Sequence, residues 1–487
     1  MNRRRFLQTS AVTAAGLALS GSASFSAGRS KKRVVVLGAG LAGLTAAWEL
    51  DQAGHEVVLV EAQTRPGGRV LTLREGFSPG LSAEAGAMAF SDSYRNLLHY
   101  VRLFQVPHES LETAAIRSAG EASLYYLRSK LLRARADGTV DWPYDLTAEE
   151  RALGRTGILR KYILSVLDGV GDSTQSDTLP DWVRPYDRQT LLDLAAKRGA
   201  SRGAQELIRY TFWFAGLRNQ ESAAACLLAD LSLFYRGQTS YGFPGGVDAL
   251  PLAFASRLRD RIRYGTEVVR IEQRPERVEI VVKARGALDR LPADRVVCAI
   301  PFSVLRHIEI DPSLSPPKRE VVSGLEYRRV TRVFLQVRRR FWESEGVTGG
   351  AMTDLPIGQV QEHPIFRTAA EGDRAIIEAH VRGGAAPELD GMREDDRLRF
   401  VLPEMEKVHP GVGRYYEGGR SKSWQDDPWA RGAWASFRPG QMIGWLPRIV
   451  RPEGRIHFAG EHTSIFRGTM EGAIESGVRA AREVEDA

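Results

Sequence analysis

The chain has 487 residues, 43% of them hydrophobic, with 48 glycines, two cysteines and 67 Lys+Arg against 60 Asp+Glu, a formal net charge of +7. That length allows two or three domains with large cores, and the composition excludes a disordered chain, a collagen-like repeat, a coiled coil and a disulfide scaffold. Basic residues are interspersed with acids, as in Arg257 to Arg263 around Asp260, and read as solvated faces; a nucleic-acid footprint would be clustered.

The amino terminus reads as an address. Asn2-Arg3-Arg4-Arg5-Phe6-Leu7-Gln8 precedes an apolar run over 11–19 and a small-residue stretch over 21–27. Basic, apolar and small-residue regions in that order are a secretory pattern. The paired arginines before Phe-Leu resemble the bacterial twin-arginine signal, which exports folded proteins. Residues 1–27 are therefore expected to be a signal peptide and the mature protein periplasmic or secreted. Spanning a bilayer takes about 20 apolar residues; no segment offers that, so stable membrane insertion is not expected.

Regular structure is expected from Lys31. Arg33-Val34-Val35-Val36-Leu37 has the continuous apolar character of a strand buried on both faces. Gly38-Ala39-Gly40-Leu41-Ala42-Gly43 follows, then a helical pattern over 44–52 and a second strand over 56–60 closed by Glu61. This is a β-α-β unit with GxGxxG at its first turn and an acid at its second, the pattern of a dinucleotide site. Gly38 allows the tight turn, Gly40 lets backbone N–H groups approach a pyrophosphate, and Gly43 lets helix and strand pack closely. The helix N-terminus faces the phosphates, and Glu61 accepts from the adenosine ribose hydroxyls.

Residues 93–237 are mostly helix-patterned, with polar breaks at 137–138 and 169–180. Alternation returns over 262–282, and 295–299 (RVVCA) reads as another buried strand. Further strands are expected over 331–336 and 374–381, with a helix over 395–408. The end reads as a strand (IHFAG), a loop and a helix over 470–484. Cys226 and Cys298 sit in apolar runs and read as buried small hydrophobes. The nine histidines and two cysteines show no HxxxH, HExxH or CxxC spacing, so no metal site is expected.

Three motifs carry a resemblance to a known family. Glu61-Ala62-Gln63-Thr64-Arg65-Pro66-Gly67-Gly68-Arg69 resembles the EAxxRxGGR stretch of the flavin-dependent amine oxidases. Glu84-Ala85-Gly86-Ala87-Met88 resembles the following loop of the L-amino-acid oxidase branch. Phe458-Ala459-Gly460-Glu461-His462-Thr463 with Gly468-Thr469-Met470-Glu471-Gly472-Ala473 resembles the carboxy-terminal flavin signature. The resemblance implies FAD as cofactor, held additionally by Leu41, Ala42, Ala62, Gly68, Arg69, Gly86, Ala87, Met88, Ala89, Val268, Gly460, Glu461, Gly468, Thr469, Met470 and Ala473. In chemical terms, Arg69 offsets pyrophosphate charge with a forked donor. Gly468 to Ala473 open a helix whose free N–H groups favour negative charge on a reduced flavin ring.

The implied fold is α/β, a Rossmann-type FAD-binding domain (31–95, 241–300 and 448–487) with an interleaved α+β substrate domain (96–240 and 301–447). The implied reaction is hydride transfer from the α C–H of an amine to the flavin, followed by imine hydrolysis. Several positions depart from the family. The resemblance sets Glu309 where a flavin-proximal lysine is common and Ala89 where an arginine holds the substrate carboxylate of amino-acid oxidases. Thr469 replaces an aromatic wall, and His363 or Glu362 stands near a substrate-contacting tyrosine. Trp424 matches a family tryptophan beside the flavin. Glu309 or His363 is thus the expected acceptor of the substrate's proton, and an amine without an α-carboxylate the expected substrate. The electron acceptor is oxygen or a periplasmic cytochrome or quinone. An L-amino-acid oxidase, an FAD-dependent desaturase or oxidase of a non-amine substrate, and a non-catalytic flavoprotein stay open.

Overall fold

The structure, a computed structural model, describes residues 31–487 apart from 112–123, 136, 169, 171–179, 213–222, 238, 364–365 and 367–371; the twin-arginine segment lies outside the described residues. Arg33–Leu37 is a strand in which four of five side chains are buried. It is flanked on both sides by parallel partners, Glu56–Val60 and Arg295–Cys298, which is why it carries no alternation. Ile262–Arg263 and Ile456–Phe458 complete a five-stranded parallel sheet. The first helix, Leu41–Gln52, starts directly at the glycine turn, three residues earlier than its apolar periodicity suggests. The last helix, Met470–Asp486, crosses it at Gly477, where a side chain would lie 2.4 Å from the carbonyl oxygen of Ala42. Both cysteines are buried and free.

A second sheet has seven strands, in the order Tyr416–Ser423, Val330–Val337, Ala375–Arg382, Gln359–His363, Ala351–Thr353, Leu124–Leu127 and Lys130–Arg133. Side chains alternate between its faces. Val333, Leu335, Val337, Ile377, Ala379 and Val381 join Val401, Met405 and Val408 of the helix Glu394–Val408 in one core. On the opposite face, Arg332 lies beside His380, Phe334 beside Glu378, and Gln361 beside Glu378 in turn. That face is buried too, because Phe334 and Ile376 pack on Leu81, Ala83 and Ala85. A sheet covered on both sides has therefore trapped polar groups on one of them.

A third sheet, Ala287–Ala293, Val278–Ala284, Thr266–Gln273 and Glu309–Asp311, is antiparallel except for its last pair. The helix-patterned stretch 93–237 does contain five helices among the described residues, Arg95–Leu103, Ala148–Tyr162, Leu191–Lys197, Arg202–Thr211 and Ala224–Arg236. It also holds a hairpin that periodicity did not show, Leu124–Leu127 with Lys130–Arg133. Its turn is Arg128-Ser129, both at positive φ (50° and 60°), the conformation of a tight hairpin turn normally announced by Asn or Gly.

One buried imidazole makes a pH prediction. His409 packs against Phe341 and Trp342, and its Nε2 lies 3.0 Å from the carbonyl oxygen of Gly349, which can only accept, so Nε2 carries the proton. Burial pushes its pKa down to about 4, outweighing that hydrogen bond. A histidine depressed on folding contributes stability that is present above about pH 6.5 and lost as pH falls through 4. The melting temperature should therefore drop between pH 6.5 and 4, and His409→Gln should make that slope shallower. An unchanged slope in the variant would show that His409 does not report on folding.

Candidate active site

The first turn is built by contact. The N–H of Gly38 donates to Val60 at 2.8 Å, joining the ends of the two strands. Gly38 has φ +98°, and a side chain on Gly43 would lie 1.9 Å from the Gly38 oxygen, so only glycine brings the helix this close. Glu61 ends the second strand, buried, with Oε2 accepting from Ala39 N at 2.7 Å and Oε1 from Gln63 N at 2.8 Å. Burial raises its carboxyl against those backbone donors. These groups line a cavity of about 340 Å³ with Gly40, Ala62, Gly68, Arg69, Val268 and Trp424.

A second cavity of about 190 Å³ adjoins it, since Gly40, Arg69, Ala299 and Trp424 line both. Its walls include Leu41, Ala42, Gly86 and Ala87 on one side and Gly460, Glu461, Gly468, Thr469, Met470 and Ala473 on the other. Thr469 caps the last helix: its hydroxyl accepts from Gly472 N at 3.0 Å and donates to Phe466 O at 2.6 Å. Arg69 donates to Glu461 Oε1 at 2.7 Å and to Ala433 O at 2.9 Å, while Glu461 Oε2 accepts from Gly468 N at 2.8 Å. Burial would raise the Glu461 carboxyl, but the Arg69 charge and those donors bring it below its ordinary value. Trp424 Nε1 donates to Ala85 O at 2.7 Å, fixing the indole against both cavities.

The double cavity thus begins at a glycine turn with a helix N-terminus and a buried carboxylate, Glu61. It ends at a second helix N-terminus. That shape and donor set fit an extended dinucleotide: the first helix N-terminus would hold its pyrophosphate and the second would hold its redox ring.

Five residues expected at the site lie elsewhere. Glu309 is not in the cavity. Its strand pairs parallel to Thr266–Gln273, which leaves the side chain 64% exposed and 3.3 Å from Arg270. His363 is fully buried, but behind the cavity wall: its Nε2 lies 2.7 Å from Glu378 Oε2, and its ring packs on Phe334. Glu362 is held by Arg340 at 2.8 Å and Trp342 at 3.2 Å. Met88 touches Arg332, and neither it nor Ala89 belongs to the lining of the two cavities.

The polar groups that line the second cavity from the seven-stranded sheet are Arg332 and His380, next to Val330. Arg332 is 1% exposed and Glu378 0%. The pair is bidentate, Nε to Oε1 at 2.5 Å and Nη2 to Oε2 at 2.8 Å, and Nη1 donates to Gly86 O at 2.8 Å. Burial would raise the Glu378 carboxyl, but the Arg332 charge and the His363 hydrogen bond hold it well below the carboxylate range. The sequence did carry a signal for Arg332: it is the lone cation inside the apolar strand VTRVFLQV. His380 had none, because its neighbours across the sheet are remote in the chain. Arg467 is also engaged, with Asp230 at 3.0 Å and Cys226 O at 3.2 Å. Burial pushes the Asp230 carboxyl up to about 7 despite that partner.

Comparison with known proteins agrees with this geometry. Residues 41–485 match the family of flavin-containing amine oxidoreductases. The flavin-dependent L-tryptophan oxidase RebO of Lentzea aerocolonigenes is 30% identical over 94% of this chain and 98% of that protein. The L-amino-acid oxidase of Notechis scutatus scutatus is 28% identical over 94% and 87%. Among solved structures, cyclohexylamine oxidase from Brevibacterium oxydans IH-35A superposes with a TM-score of 0.74 at 21% identity, covering 94% of this chain and 99% of that one. Putrescine oxidase bound to putrescine superposes with a TM-score of 0.74 at 18% identity over 94% and 99%. The chain belongs to the flavin-containing amine oxidoreductase family and is an FAD-dependent oxidoreductase acting on amine C–N bonds.

Proposed function

We propose that the substrate is an amine without an α-carboxylate. The observation that carries this reading is the charge inventory of the second cavity. Arg69 is paired with Glu461 and Arg332 with Glu378, while Arg467 nearby in the chain is paired with Asp230. At Ala89 there is no side chain to hold an anion. A carboxylate brought into this space finds no forked cation among these described residues, and leaving a buried charge unpaired costs about 2–5 kcal/mol. FAD, when bound, accepts the hydride that leaves the amine's α carbon, and the imine so formed hydrolyses to a carbonyl compound and ammonia. The chain's own residues orient the amine and exclude water: Trp424 and Thr469 are fixed by their own hydrogen bonds, and the charges on the wall are paired.

The test compares matched pairs, an L-amino acid and its decarboxylated amine. The amine is expected to win in kcat/KM by roughly 30-fold or more, at about 1.4 kcal/mol per factor of ten. A second reading, an L-amino-acid oxidase, is favoured by the names of RebO and the snake enzyme. It replaces ours if the amino acid wins in every pair. Anaerobic titration of the flavin separates the two readings independently: bleaching by the amine supports ours, and bleaching by the amino acid alone supports the second.

Export by a twin-arginine signal belongs to the same proposal, with oxygen or a periplasmic cytochrome or quinone as electron acceptor and the domain division given above. FAD is inserted in the cytoplasm, so the chain crosses the membrane folded; among the described residues no helix is long and apolar enough to span one. Changing Arg3 and Arg4 to Lys should strand active protein in the cytoplasm, and undiminished periplasmic activity would sink the idea.

A further inference from the structure

We infer that the chain carries a binding site for a small multivalent oxyanion, a phosphate ester or a dicarboxylate, in a cavity outside the cofactor site. The cavity has a volume of about 630 Å³, the size of a small-molecule site. Four separate stretches of chain meet there: 303–307, 323–329, 383–387 and 425–431. They bring Arg306, Arg328, Arg329 and Arg431 to its wall, with Glu326 the one acidic residue in the described lining. It meets the first cofactor cavity only at His307 and Arg431, which line both, and it shares no residue of the glycine turn.

Acids do not neutralise this wall. Glu326 is paired with Arg438, which lies outside the lining, and Arg329 with Asp390 at 2.7 Å. Arg306 is held by two backbone carbonyls, donating from Nε to Phe302 O at 3.0 Å and from Nη2 to Leu325 O at 2.7 Å. It meets no carboxylate among the described residues, so those bonds fix the fork and leave its charge uncompensated. Arg431 is presented by its backbone. Its φ is +48°, a left-handed conformation that is strained for a residue with a side chain. The surrounding turn enforces it: Arg431 N donates to Asp427 O and Gly432 N to Trp424 O, both at 2.8 Å, and Ser303 Oγ donates to Ala430 O at 2.6 Å. The Arg431 side chain so displayed is exposed and makes no hydrogen bond or ion pair with a described residue. Elsewhere arginines are met by acids, as Arg290 is by Glu272 and Glu279. Here like charges face one concave space, whose field concentrates anions. Forked guanidiniums hold oxyanions there through charge-assisted hydrogen bonds.

The experiment uses flavin-loaded enzyme, so that the cofactor already fills its own cavity, and flavin absorbance is read alongside to confirm that it stays bound. The probes are inorganic phosphate, pyrophosphate, succinate and citrate, titrated by calorimetry at an ionic strength held constant with potassium chloride. At least one of them should bind saturably with a Kd below about 1 mM, while acetate, a monoanion, should not saturate. Tighter binding of the phosphates assigns the site to phosphate esters, and tighter binding of the carboxylates assigns it to dicarboxylates. Arg306→Gln and Arg431→Gln should each weaken the Kd about tenfold or more, the loss of a charge-assisted hydrogen bond. Arg431→Gln breaks no bond to a described residue, so it serves even if Arg306→Gln fails to fold. Arg290→Gln removes the same charge from another face and, with salt screening distant charges, should change the Kd less than about twofold. The inference is overturned if none of the four probes saturates, if Arg431→Gln leaves the Kd unchanged, or if Arg290→Gln weakens it as much.

Discussion

Replacing Glu378 by Ala should destabilise the fold by about 3–5 kcal/mol, read as a shift in the urea midpoint. The reason is what stays behind. Arg332 is 1% exposed, so its guanidinium is nearly all withdrawn from solvent. Its Nε and one Nη2 proton would lose their acceptor, and His363 would lose its partner at 2.7 Å. The charge itself is the problem, so the remedy is to remove both partners. An Arg332→Met/Glu378→Met double variant should recover most of the loss, because a buried pair replaced by apolar groups of similar volume is often neutral. If the single variant is as stable as wild type, the guanidinium has found another acceptor, and the rigid wall inferred for the second cavity is wrong.

Gly43→Ala should cost the enzyme its cofactor. The new methyl group would lie 1.9 Å from the Gly38 oxygen and 3.1 Å from its carbon, and a backbone carbonyl at the end of a central strand cannot turn aside. Overpacking of this kind costs about 1–3 kcal/mol, which falls on the turn that meets the phosphates. Flavin content after purification should fall about tenfold or more, and the melting temperature with it. Gly40→Ala is the control, because a side chain there meets nothing within 4 Å in the protein itself. It should leave the apoprotein's melting temperature unchanged and still impair flavin retention, since the backbone at that position must approach the pyrophosphate. Equal behaviour of the two variants would mean that Gly43 serves the ligand and not the packing of helix on strand.

The parts of the site legible in the sequence are those whose constraints fall on consecutive residues. The turn from Gly38 to Gly43, the acid at Glu61 and the glycines around Arg69 each need one backbone shape, and few residue types allow it. The opposite wall is written across large separations. Arg332 and Glu378 are 46 residues apart, and only the pairing of their strands makes them neighbours. Glu309 was misplaced because a resemblance supplied its position, whereas its strand register puts it on the outer sheet beside Arg270. The hairpin at Leu124–Leu127 stayed hidden because two ordinary residues, Arg128 and Ser129, take the left-handed turn.

The closing strand and helix fix the order in which a nascent chain can become an enzyme. Arg69 waits for Glu461, 392 residues further on. Arg295–Cys298 has an open sheet edge until Ile456–Phe458 pairs with it. Gly477 then brings the last helix onto Leu41–Gln52, which was made near the beginning. During synthesis the phosphate turn therefore exists without its far wall. An intermediate of this kind exposes an apolar strand edge to other chains. The complete cofactor site therefore waits for residues 456–486, and until they are made the edge of Arg295–Cys298 stays open.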